Sequence, residues 1–149
     1  MSKEPHLVPP TKGLSYVMKK DIEAEMVSIA DSQREDRGMD LIIQKSRAVI
    51  KGHLHEAAVT LDLNASPGKT VNSVAYLGMM EITEAGLIVI GDEVIADGVK
   101  IGEVAGFDET HFPNHMNILI RVKELKTGLK MGLQLGSRII FRLKNIDFN

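Results

Sequence analysis

Cysteine and tryptophan are absent from the 149-residue sequence, and aromatics make up only 4% of it. Without cysteine there are no disulfides, no thiol nucleophiles and no thiolate metal sites, and a reducing cytoplasm is the expected setting. With four Phe and two Tyr there is little material for a base-stacking platform. A net charge of −2 gives no global attraction to nucleic acid or to anionic lipid. No long hydrophobic run occurs either. The longest, near Leu87–Ile90, is far too short to span a bilayer, and the opening residues carry charges and Pro5, Pro9 and Pro10 where a secretory signal needs an apolar core. The expectation is a soluble, cytoplasmic protein that binds neither nucleic acid nor membrane.

At this length one domain is expected, burying roughly 70% of its unfolded surface. Residues 1–20 read as an N-terminal arm, with three prolines and no steady periodicity. From residue 21 to 149 the pattern is short extended segments broken by Gly and Asp. Candidate strands are Ile22–Ala30, Leu41–Ile50, His53–Leu63, Leu87–Ala96, Val99–Phe107, Ile118–Lys123 and Arg138–Lys144. Between two of them sits Asp97-Gly98, a hairpin signal because both turn positions need positive φ. In the last two, Ile118, Ile120 and Val122 share one face, as do Ile139, Phe141 and Leu143. The fold class is therefore all-β: a small single-domain barrel of about seven short strands. One short helix is placed within Lys69–Thr83, where Ser66-Pro67 resembles a helix start and Val71, Val74, Ala75 and Ile82 fall on one helical face. Closing the barrel or pairing subunits removes exposed strand edges, so a homo-oligomer is expected.

Four of the five histidines stand in two tight pairs. One is His53-Leu54-His55, followed by Glu56. The other is His111-Phe-Pro-Asn-His115, preceded by Asp108 and Glu109. Histidine is the commonest protein metal ligand and titrates near neutral pH. Alternation puts His53 and His55 on the face shared by Ala57, Val59, Leu61 and Leu63, so both imidazoles are expected to point into the barrel, about 7 Å apart. A bulge at Gly52 would account for the change of phase from the preceding strand. Pro113 keeps the second pair off a helix face, so it belongs to a loop feeding the Ile118 strand.

If the pairs meet, His53, His55, His111 and His115 form a metal or ligand site, and unrelated pairs are the alternative. A divalent Zn, Fe, Ni or Mn ion suits imidazole ligands, with Glu56 or Asp108 added. The leading expectation is a binding module holding a small molecule, a sugar derivative or a carboxylate, in a histidine-lined pocket that also includes Asp108, Asn117 and Arg121. The alternative is a metal-dependent enzyme of hydrolase, isomerase or oxygenase type, with Glu56 or Glu109 as general base. Ser66-Pro-Gly-Lys-Thr70 has the setting of a phosphate loop, but Leu63 stands where the first glycine belongs and Pro67 lacks an N–H. A plain turn is the better reading.

From Gly86 to Phe141, the phrases GLIVIGDEV, KIGEVAGF, PNHMNILI and LGSRIIF resemble the glucitol/sorbitol-specific IIA component of the sugar phosphotransferase system. The resemblance implies a small β-barrel and puts His115 at that family's Gly-His position, with Asn114 replacing the glycine. The family's phosphorylated histidine should fall within Tyr76–Gly86, where this chain has none, so a phosphocarrier role is disfavoured. The whole chain is also similar to bacterial proteins of unknown function.

Overall fold

The computed structural model describes residues 19–144. The expected N-terminal arm lies almost wholly outside them. In chain order the strands are β1 Ile22–Met26, β2 Gln33–Arg34, β3 Met39–Asp40, β4 Ser46–Val49, β5 Leu54–Thr60 and β6 Thr70–Val71. They continue as β7 Val74–Glu84, β8 Gly86–Val89, β9 Glu93–Ala96, β10 Val99–Asp108, β11 Asn117–Val122 and β12 Arg138–Arg142. A single helical turn, α1, spans Gly128–Met131 between Thr127, whose hydroxyl accepts from Lys130 N–H, and the left-handed Gly132.

Seven strands close a barrel in the order β1-β12-β9-β10-β11-β5-β7, with β7 returning to β1. Alternation drives the closure. Ile118, Ile120 and Val122 from β11, Ile139 and Phe141 from β12, and Ala57 and Val59 from β5 fill the interior. Opposite residues on the same wall, Ala58, Tyr76, Ala105 and Leu119, form a second core outside it. Met39, Leu41, Ala65 and Val71, from the segments that carry the paired β3 and β6, cover this outer core. The β9–β10 hairpin turns at Asp97 and Gly98, both with positive φ (47° and 84°), as the Asp-Gly pair predicts.

Several expectations need correction. The helix expected within Lys69–Thr83 is strand: β6 and then the 11-residue β7. Ala75, Leu77, Met80 and Ile82 face the interior, while Val74 and Tyr76 face the outer core. Burial on both faces hides the two-residue period, and the phase changes at Gly78, where φ is +131° and β5 pairing shifts register. The strand expected over Leu87–Ala96 is two strands separated by a turn, in which Asp92 accepts from Val89 N–H. Gly52 is no bulge. It lies in the turn between β4, which pairs with β8, and β5 in the barrel. Lys69 N–H donates to Ser66 C=O and the two-residue β6 begins at Thr70, so Ser66–Lys69 is a turn. Among the described residues no helix is long and apolar enough to cross a membrane.

A Cβ at Gly78 would lie 2.1 Å from Ser28 C=O, whereas one at Gly91 would meet nothing within 4 Å. Both residues have positive φ. Gly91→Ala is expected to cost about 1 kcal/mol, the left-handed penalty alone. Gly78→Ala should cost at least about 2 kcal/mol more, because backbone must move. Urea denaturation of the two variants measures the difference.

Candidate functional site

β5 and β11 are parallel neighbours, with Glu56 opposite Asn117 and Thr60 opposite Arg121. Parallel strands begin at the same end, so the residues leading into each lie side by side. His53 precedes β5 and the Glu109–Met116 loop precedes β11, so both histidine pairs arrive at one barrel rim. The loop is built from consecutive turns: Phe112 N–H donates to Glu109 C=O, and Asn114 and His115 N–H donate to His111 C=O. The His111 and His115 rings stack with centroids 4.9 Å apart. Those of His53 and His55 are 6.5 Å apart and tilted by 59°.

His55 is the anchored member. It is 7% exposed and keeps the inward phase of Ala57 and Val59. Its Nδ1 accepts a hydrogen bond from Met116 N–H at 3.1 Å. A neutral imidazole has one acceptor and one donor, so the proton sits on Nε2. Burial lowers the His55 pKa to about 4, helped by the positive fields of His53, His115 and Arg47. His53, by contrast, is exposed, because the strand begins only at Leu54 and alternation does not reach back to it. The apolar phase also ends before Leu61 and Leu63, which are exposed.

Glu56 points to the other side of the wall, beside Asn117. Burial raises its pKa against the opposing pull of His115, His111 and Arg37. His115 is therefore felt on both sides of the rim. Asn117 in turn sits opposite Asp108 on β10, and its amide donates to Asp108 Oδ2 at 2.9 Å. The same oxygen receives Arg37 Nη2 at 3.2 Å, while Oδ1 takes Thr110 N–H and its hydroxyl. Arg37 Nε donates to Tyr76 Oη at 2.9 Å. Asp108 is thus saturated by the protein itself. Asn117 Oδ1, fully buried, has no partner among the described residues.

Of the two candidate bases, Glu109 is engaged by Arg47 at 2.6 Å, and Arg47 also covers the Phe112 ring at 4.9 Å. Glu56 is the half-buried carboxyl beside the second histidine pair. The expected grouping of Asp108, Asn117 and Arg121 splits. Arg121 lies four residues along β11 from Asn117, about 13 Å away. Its Nη1 donates to Ala65 C=O at 2.7 Å, and it lines two clefts that contain no histidine. Among the described residues no three His, Cys, Asp or Glu side chains are grouped to hold one ion. Arg37, Arg47 and Tyr76 carry no local sequence signal, since Arg37 and Asp108 are 71 residues apart.

The low His55 pKa has a consequence for stability. The unfolded chain takes up a proton near pH 6.5 and the folded chain only near pH 4, so protonation favours unfolding over that interval. The His55 contribution is complete above pH 6.5 and lost as pH falls towards 4. Glu56, with its raised pKa, acts in the opposite sense. Denaturation midpoints at pH 7 and pH 5 should show that His55→Gln loses about 2 kcal/mol less than the unsubstituted chain over this step.

No curated protein matches the chain, and no solved structure does. Residues 16–142, most of its length, match a family of unknown function (DUF6917), and the chain belongs to that family.

Proposed function

We propose that this protein is a binding module that holds a small acceptor-bearing molecule, a carboxylate or a sugar derivative, at the histidine rim of its barrel. The observation that carries this reading is the Met116 N–H bond to His55 Nδ1. It makes Nε2–H a donor of fixed direction, and the low pKa keeps it neutral across physiological pH. A fixed neutral donor beside Arg47, His53 and His115 suits an oxygen acceptor. A chain without cysteine fits the cytoplasm, where such metabolites are abundant.

The metal-dependent enzyme reading uses the same residues, with a Zn, Fe, Ni or Mn ion on the imidazoles and Glu56 as base. It requires an Nε2 lone pair on His55. That means breaking the Met116 hydrogen bond or removing a second proton from the ring, and this cost favours the metal-free reading. A phosphocarrier role has no histidine in Tyr76–Gly86 to use.

The test is titration of the chelator-treated protein with gluconate, malate and glucose 6-phosphate, followed by amide and imidazole NMR. At least one compound should shift Met116 N–H and His55 Nε2–H together, and His55→Ala should weaken its binding about tenfold or more. Resonances that move only after addition of one equivalent of zinc would replace this proposal with the metal-dependent one.

A further inference from the structure

The two clefts beside Arg121 lie along the barrel wall, away from the histidine rim, and they share Leu63 and Arg121. The first, about 640 Å³, is polar: Asp62, Asn64, Ser66 and Lys69 are among its walls. The second, about 720 Å³, runs over Val99, Ile101, Val122 and Met131. Both volumes fall in the range of small-molecule sites. Gly102 forms part of the second floor, where a Cβ would lie 2.0 Å from Arg121 C=O, so β10 and β11 approach too closely for any side chain there. At the junction Leu63 is 86% exposed, a large apolar side chain standing in solvent between a polar and an apolar hollow.

Charge supplies the second argument. Five cationic side chains, Lys69, Lys100, Arg121, Lys123 and Lys126, line the clefts against three carboxylates, Asp62, Glu103 and Glu124. Glu103 is already shared by Lys100, Lys144 and, at 3.8 Å, Arg121. The surplus is positive on a chain whose net charge is −2. Ser66 and Thr70 spend their hydroxyl hydrogens on Asn64 C=O and Asp40, which leaves Lys69, the Asn64 amide and the Arg121 N–H groups not taken by Ala65 C=O as donors lining the first cleft.

We propose that these adjoining clefts form a site for a single-chain amphiphilic anion, its head between Lys69 and Arg121 and its alkyl part over Leu63, Ile101 and Met131. Head and tail are both required. The probe is decanoate below its micellar concentration, followed by amide NMR on the full chain, with acetate, decanol and phosphatidylglycerol vesicles as comparisons. Decanoate should shift Leu63, Gly102 and Val122 amides, and acetate and decanol should each bind at least about tenfold more weakly. Leu63→Ser and Lys69→Ala, which change exposed side chains and leave the backbone hydrogen bonds in place, should each weaken decanoate by about fivefold or more. His55→Ala should leave it unchanged, which separates this site from the rim. Equal binding of decanol, equal binding of acetate, indifference to both cleft substitutions, or capture by vesicles without a decanoate response would each overturn the proposal.

Discussion

A closed barrel with an odd number of strands cannot be antiparallel throughout. Going once round, each antiparallel contact reverses direction, and seven reversals would return the first strand pointing the wrong way. Seven strands therefore need a parallel pair, and here it is β5 with β11, the other six contacts being antiparallel. This single exception builds the histidine rim. Had β5 and β11 run antiparallel, the residues preceding them would sit at opposite ends of strands about 20 Å long. The pair also provides the link that fixes His55, because Met116, the residue just before β11, meets the beginning of β5 twice. Its C=O accepts from Glu56 N–H and its N–H donates to His55.

The wall at that point is one strand thick, and its two faces hold different chemistry. Inside, His55 is neutral and directed. Outside, Glu56 is a carboxyl pushed towards its protonated form by burial while His111, His115 and Arg37 pull the other way. Both groups feel His115, so a change of charge on that ring is communicated to a donor and to an acid on opposite faces. The loop that positions His115 is itself tied down through Glu109, whose pairing with Arg47 is reinforced by the Phe112 ring.

How much of this was legible follows from how far each signal reaches along the chain. Two-residue alternation is local, so it located β11 and β12, the inward phase of β5 and the orientation of His55. The Asp-Gly turn is local too. β7 carries no clear alternation because it is buried on both faces and changes phase at Gly78. Its apolar residues then fall at spacings that imitate a helix. His53 falls outside the alternation because it lies one residue before the strand begins at Leu54. The relation between the histidine pairs depends on a parallel contact between segments about sixty residues apart, and no pattern within either segment encodes it. The Arg37–Asp108–Asn117–Tyr76 network is hidden for the same reason. It also explains why Asp108 is no free ligand group: each of its oxygens already accepts from the protein.

Internal hydrogen bonds and ion pairs already occupy several groups at the rim. Asp108, Glu109 and the acceptor side of His55 are engaged internally, which makes the scaffold rigid and removes them from any competition for a ligand. The groups left over include His55 Nε2–H, the Glu56 carboxyl, Asn117 Oδ1 and Arg47 Nε, the last two buried without partners among the described residues. A buried polar atom without a partner costs free energy in the folded state, and natural folds retain few of them. Asn117 Oδ1 belongs to an amide whose other branch is committed to Asp108, and Glu56 is the residue opposite Asn117 on the neighbouring strand. A protonated Glu56 would supply the missing donor there, and so would a hydroxyl brought by a ligand.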